Sequence, residues 1–400
     1  MKSNWKECTI ADLGEVIGGA TPSTKNIENY ENGDISWITP KDLSTHNNRY
    51  IYYGERNITK IGLNSCSTKI LPKNSVLFSS RAPIGYVAIA GKEMCTNQGF
   101  KSVVPNFNTN YMFLYYLLKY NKENIENIGS GTTFKEVSGN TMKSIKVYVP
   151  TNIETQKKIA SILSALDDKI ELNNKINENL EMQAQAIFKS WFVDFENIER
   201  VTCHANEYFD ISIGKTPPRK EHEWFSNNKF DNIKWVSISD MGNCGIYIND
   251  SSEYLTRKAI DKFNIKIVPK NTILLSFKLT IGRIAITNDI MATNEAIAHF
   301  KTKNQNIIEY LYCYLKNFNF QELGSTSSIA TAVNSKIIKS MPFTIPTNKE
   351  LANFHNVTNG MFNEIRKNQE ENQRLAELRD TLLPKLMNGE IDVDDVQVKE

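Results

Sequence analysis

From Glu154 to Phe195 the chain holds neither proline nor glycine, and apolar side chains return at Ile159, Leu163, Leu166, Ile170, Ile176, Leu180, Ile187 and Trp191. Intervals of mostly three, four or seven residues are the period of an α-helix, so this stretch predicts one long helix. A second such stripe runs from about Lys349 to Met387 through Leu351, Phe354, Val357, Met361, Ile365, Leu375, Leu378 and Leu382. Gly360 is tolerable inside it, and Pro384 and Gly389 are expected to end it. Forty residues at 1.5 Å each make a rod of about 60 Å. A small neighbouring domain cannot cover such a length, so the two stripes are expected to bury each other as a coiled coil. Asn173, Asn177, Asn368 and Asn372 fall near that seam, where they either fix the register or reflect a chain rich in asparagine.

Before each helix the texture changes to short β-type runs bounded by turn residues, and the runs occur twice. LPKNSVLFSSRAPIGYVAIA (71–90) lies without a gap on VPKNTILLSFKLTIGRIAIT (268–287), with nine of twenty positions identical. TNQGF (96–100) meets TNEAI (293–297), and MFLYYLLK (112–119) meets EYLYCYLK (309–316), both at an offset of 197. ISWITPKDL matches IKWVSISDM at 198, and the run from Ile128 to Pro150 matches that from Leu323 to Pro346 at 195 to 196. Two units of roughly 200 residues follow one another, far longer than the repeats of solenoids or propellers. The fold class expected is α+β: two similar mixed α/β domains joined by two long helices. The blocks are 1–150 and 197–346 for the domains, 151–196 and 347–389 for the helices, and 390–400 for an acidic tail. Pro83 and Gly85 supply a turn between two strands, and a helix is predicted to begin near Thr109. Alternation in ISWIT puts Trp37 on one side with Ile35 and Thr39, and core packing is favoured over base stacking for Trp37 and Trp235.

Composition narrows the function. A chain of 400 residues exceeds what one core usually serves. No apolar run of about 18 residues and no basic-plus-apolar leader before Trp5 mark it for a membrane or for export, so a cytoplasmic protein is expected. Cys8, Cys66, Cys95, Cys203, Cys244 and Cys313 are scattered, as reduced thiols would be, with no zinc spacing. Net charge is +2, but the tail EIDVDDVQVKE holds five acids and one lysine, which leaves residues 1–389 at +6. That permits nucleic-acid binding without demanding it. Enzyme signatures fail: there is no G-x-G-x-x-G after a strand, and GKT at 214–216 has Phe209 where a P-loop needs its first glycine. TPPRK (216–220) lacks the acid or amide and the aromatic that would make it an amino-methyltransferase motif. The five histidines neither pair at helical spacing nor recur between the repeats. No catalytic residue, metal or cofactor is therefore expected in this chain.

What recurs is glycine, hydroxyl, amide and basic residues beside turns, which suits contact with backbone and bases. Arg81 and Lys278 hold the same tip between two strands, where a cation reaches phosphate or, for Arg81, guanine. Thr21, Ser23 and Lys25, with Thr39 and Lys41, form polar and basic loop clusters, and Thr216, Arg219, Lys220, Ser237 and Arg283 stand in the second half. Asn97 and Gln98, against Asn294, either read adenine edges or cap a strand end. Ser130 and Thr132 before Lys135, and Ser325, Thr326 and Ser327, make hydroxyl loops suited to phosphate.

The closing run LAELRDTLLPKLMNGEIDV (375–393), ETQKKIASILSALDDKIELNN, NLEMQAQAIFKSWFVDF and the paired W-I-T-P-K-D-L and I-G-x-x-A-I elements carry a resemblance over essentially the whole chain. It resembles the specificity subunit of type I restriction-modification systems. The resemblance implies two target-recognition domains, each followed by a long helix, with the helices packed antiparallel and an approximate two-fold axis. It implies duplex DNA as ligand and, as partners, two adenine-N6 methyltransferase subunits and ATP-driven motor-nuclease subunits. S-adenosylmethionine, ATP and magnesium would sit on those partners, and base-reading residues are not transferred by motif. Diverged tips (SSRAPIG against SFKLTIG) predict a bipartite, asymmetric target. The competing expectation is a coiled-coil adaptor whose globular ends bind protein or carbohydrate.

Overall fold

The computed structural model describes residues 4–46, 48–129, 135–194, 200–323 and 333–393. The expected hydroxyl-loop residues Ser130, Thr132, Ser325, Thr326 and Ser327 lie outside them. The chain forms two compact units. Unit 1 joins residues 1–171 to 374–400, and unit 2 is 172–373, so each takes one part of each long helix.

Unit 1 is built on a five-stranded sheet in the order Gly14–Gly18, Lys101–Pro105, Val76–Ser80, Ile84–Ala90, Tyr50–Ile51. The pairs are antiparallel except the last, where Tyr50–Ile51 runs parallel to its neighbour. One face packs the helix Tyr111–Tyr120, six of whose residues are buried; Asn110 caps it by accepting the Phe113 amide at 2.9 Å. A small second sheet sets Arg56–Ile58, Ile35–Ile38 and Cys95–Thr96 side by side. Unit 2 repeats the plan: Asp210–Ile213, Ile297–Lys301, Ile273–Ser276, Ile284–Thr287, Tyr247–Ile248, with the helix Ile308–Asn317.

The tryptophans are core residues in both units. Trp37 and Trp235 are buried, and each indole donates to a loop carbonyl, Ala20 at 3.1 Å and Lys215 at 3.2 Å. The expected alternation around Trp37 is kept: Trp37 and Ile35 pack in one cluster and Ile38 in another, although Ser36, Trp37 and Ile38 are all buried because the strand is covered on both faces.

The long helices are Ile153–Phe188, continued by a π-helical turn Lys189–Val193, and Asn348–Met387. In unit 1, Ile159 and Leu163 share a core cluster with Leu386 and Met387. In unit 2 the contacts Asn173 with Asn372, Asn177 with Asn368 and Phe188 with Phe354 descend one helix as they climb the other, so the segments run antiparallel. Three stripe residues do not enter the seam: Ile176, Val357 and Leu378 stay exposed. Asparagines occupy the middle of the pairing, and an amide ladder there displaces the apolar side chains. Pro384 does not end the second helix but lies inside it. The terminator is Gly389, whose φ of +71° carries the chain out while its amide donates to the Leu386 carbonyl at 3.3 Å. Among the described residues no helix is long and apolar enough to cross a membrane, no three potential metal ligands cluster, and all six cysteines are free.

Candidate nucleic-acid interface

In unit 1 the strands Val76–Ser80 and Ile84–Ala90 meet at a tip braced from within. Ser79 Oγ donates to the Pro83 carbonyl and accepts the Tyr86 amide, both at 2.8 Å. Unit 2 builds the same brace on Ser276, which donates to the Thr280 carbonyl at 2.6 Å and accepts the Arg283 amide at 3.0 Å. Serine thus recurs because one small hydroxyl satisfies both ends of a tight turn. The braces hold Arg81 and Lys278 outward at equivalent places. Arg81 is partly exposed and 3.5 Å from Glu136, whose carboxylate is also 3.6 Å from Lys101. Lys101 reaches Ser80 Oγ at 3.4 Å as well. Lys278 is exposed, its ammonium 5.7 Å from the Phe277 ring, and no carboxylate pairs with it among the described residues. One tip offers a cation tempered by an acid, the other a bare one.

Beside each tip lies a second recurring contact. The Thr21 hydroxyl donates to the side-chain Oε1 of Gln98, and Thr216 donates to the Glu295 carboxylate in the same way. The preceding residues, Asn97 and Asn294, turn their side-chain oxygens onto the amides of Gly99 at 2.9 Å and Ala296 at 3.1 Å. These asparagines close Asx turns through their side-chain oxygens, the capping role. Ser23, Lys25 and Lys220 are exposed on the loops that carry Thr21 and Thr216, and Lys135 is exposed as well.

Other expected contact residues have structural work. Thr39 starts the helix Pro40–Ser44: its amide and hydroxyl both donate to Asp42 at 2.7 Å. Ser237 does the same with Asp240 before Ile238–Asn243. Lys41 is drawn to Glu55 at 2.7 Å. Arg219 is bidentate on Glu253 at 2.7 and 2.9 Å, lying over the rings of Phe225 and Trp235. Arg283 donates to the Ile238 carbonyl at 2.5 Å. Their charge or hydroxyl is satisfied inside the unit, which leaves little for a ligand.

The strongest charge cluster carried no sequence signal. Arg49, buried, binds Glu171 through its amide at 3.0 Å and through Nε at 2.9 Å, and also pairs with Asp168. Its carboxylate partners hold the guanidinium above its ordinary value despite burial, which works the other way. Nearby, Asp167 accepts Arg379 and the Tyr116 hydroxyl, each at 2.6 Å. These bonds tie the first long helix to the residue before the strand Tyr50–Ile51 and to the helix Tyr111–Tyr120, and Arg379 joins the second long helix to the first.

A family model described as the type I restriction modification DNA specificity domain matches twice, over residues 2–182 and 201–378. The chain belongs to this family. The MjaIX specificity subunit of Methanocaldococcus jannaschii is 35% identical, over 98% of this chain and 95% of its own length. The HindI specificity subunit of Haemophilus influenzae is 24% identical, over 97% and 100%. A solved type I S subunit from M. genitalium shares the fold at a TM-score of 0.56 with 18% identity, over 96% of each chain. As a type I specificity subunit the chain recognises DNA sequence and joins a complex with other subunits, and it is not itself catalytic. The family match sets the adaptor alternative aside.

Proposed function

We propose that each unit reads one half of a bipartite, asymmetric duplex target. The observation that carries this reading is a pair of equivalent sites with different chemistry: Arg81 beside Glu136 and Gln98 in unit 1, Lys278 and Glu295 in unit 2. The same scaffold presenting different donors and acceptors selects different bases. Arg81, Gln98 and Lys278 are the first candidates for base or phosphate contact. Lys25, Lys135 and Lys220 would position the duplex through phosphates. The chain would hold two adenine-N6 methyltransferase subunits and the motor-nuclease subunits, with S-adenosylmethionine, ATP and magnesium on those partners.

The test is an exchange of residues 1–150 for the matching part of a relative, followed by mapping of methylated adenines in cells that express the assembled complex. One half of the target should change and the other stay. A change in both halves would refute the modular reading.

A further inference from the structure

Two equivalent lysines in the repeat meet opposite surroundings. In unit 2, Lys316 lies with its ammonium 5.6 Å from the Tyr312 ring and 3.3 Å from the Glu181 carboxylate. In unit 1, Lys119 lies the same way over Tyr115, at 5.3 Å, but no carboxylate is within ion-pair range of it among the described residues. The acids that act on it, Asp167 and Asp380, are both engaged by Arg379. Burial pushes the Lys119 ammonium below its ordinary value, and Arg379 pushes the same way. A half-buried cation without a counterion is costly unless an anion arrives to meet it.

The space for that anion exists. Lys119 opens on a cavity of about 320 Å³, lined also by Lys122, His46, Asn48 and Tyr86. The Lys122 stem is laid against Gly85, where a Cβ would come within 2.5 Å of Lys122 Cγ. Gly85, at φ +96°, therefore both makes the turn and admits the second lysine. Burial holds His46 below its usual value, against the pull of the Tyr50 carbonyl 3.0 Å from its Nε2. Among the described residues of unit 2 nothing is comparable: Tyr86 is replaced by Arg283, turned onto the Ile238 carbonyl, and Lys316 has its carboxylate.

We propose that this cavity of unit 1 is a phosphate site in which Lys119 and Lys122 hold one phosphate group, supplied by the backbone of the bound duplex. The proposal rests on the DNA-recognition reading above. Lysine meets phosphate as a point charge without base preference, so the site strengthens binding equally on any sequence and gives it salt dependence.

The experiment compares the full-length chain with Lys119→Met/Lys122→Met, with Lys119→Arg/Lys122→Arg and with Lys316→Met. Fluorescence anisotropy would follow a labelled target duplex and a scrambled duplex between 50 and 200 mM salt. The methionine pair should weaken both duplexes alike, roughly 5- to 30-fold at the low end, and lower the log–log salt slope by about 0.9. The arginine pair should restore the slope, and Lys316→Met should leave it unchanged. Should the methionine pair fail to fold, the exposed Lys122→Met alone carries the measurement. A second arm titrates inorganic phosphate in chloride buffer and follows the melting temperature. Stabilisation that saturates and vanishes in the methionine pair, with the duplex slope unchanged, keeps the phosphate site but assigns it to free phosphate. If wild type binds duplex with salt sensitivity while neither arm responds to the methionine pair, the site is refuted and the DNA reading stands. If wild type binds no duplex, that reading fails instead. Loss only of assembly with methyltransferase subunits would mean a protein carboxylate fills the cavity, and would overturn the proposal.

Discussion

Asn173 Nδ2 lies 2.9 Å from Asn372 Oδ1, inside the helix pairing of unit 2, and the same nitrogen is 2.7 Å from Glu371. Asn372 in turn donates to Asn174 at 2.8 Å, and Asn368 donates to Asn177 at 2.9 Å. Asn173 is fully buried, so these amides favour one alignment of the helices over its neighbours. Asn173→Leu should cost about 1–3 kcal/mol by removing its bonds to Asn372 and Glu371. The double change Asn173→Leu/Asn372→Leu should cost clearly less than the sum of the single changes. Urea unfolding of the four proteins gives the coupling directly; additive effects would show that the contact carries no energy.

Arg49→Leu should destabilise unit 1 by about 3–5 kcal/mol, because it leaves the mostly buried Glu171 carboxylate facing an apolar group. Arg49→Lys should rescue only part of this, since an ammonium cannot serve two carboxylates in the fork geometry. Denaturant midpoints read by circular dichroism check both.

Acid should weaken unit 2 through one histidine. Burial, with Lys301 adding to it, holds His299 down at about 3 from its ordinary 6.5, and its two nitrogens meet the Ser212 and Thr293 hydroxyls at 3.0 and 2.7 Å. The folded state keeps the ring neutral while the unfolded state takes a proton below about 6.5. The contribution is therefore complete above that value and is lost progressively as pH falls toward 3. At pH 5 the loss is roughly 2 kcal/mol. The equivalent residue in unit 1 is Ser102, which cannot titrate. His299→Gln should flatten the difference between unfolding free energies at pH 7 and pH 5 by about that amount.

At the tips, Arg81→Ala and Lys278→Ala should each weaken duplex binding by about 5- to 30-fold. A base reader loses discrimination at one position of one half of the target, whereas a phosphate contact loses affinity on every sequence. Glu136→Gln should strengthen binding at the Arg81 tip by freeing its guanidinium. Binding arrays with single-base substitutions distinguish these outcomes, and unchanged binding in both alanine variants would remove the tips from the interface.

The parts legible in the sequence are those written locally or written twice. The stripes from Ile159 to Trp191 and from Leu351 to Leu382 declared two helices through period alone, and the 197-residue offset placed Arg81 and Lys278 at one site before any coordinate. Thr39 and Ser237, offered as ligand contacts, also start helices, and T-x-x-D and S-x-x-D spell that start in the sequence. Pro384 was read as a stop because proline breaks most helices, but near a C-terminus its missing N–H forfeits one bond and the stripe still runs on to Met387. Arg49 and Lys119 were beyond reach. Their partners, Glu171 for one and an absent carboxylate for the other, depend on contacts across 122 residues or on a difference between the two halves that only geometry reveals.

The division of the long helices sets an order of events during synthesis. Unit 2 is continuous, from Leu172 to Gln373, whereas unit 1 waits for Arg374 onward to deliver Arg379, Leu386 and Met387 to the core begun by Ile159 and Leu163. A ribosome working from the N-terminus releases every residue of the later domain before it releases the last of the earlier one. The domain made first is thus completed last, and a nascent chain halted near residue 373 would carry a finished second unit beside a first unit whose apolar helix face still lacks its cover.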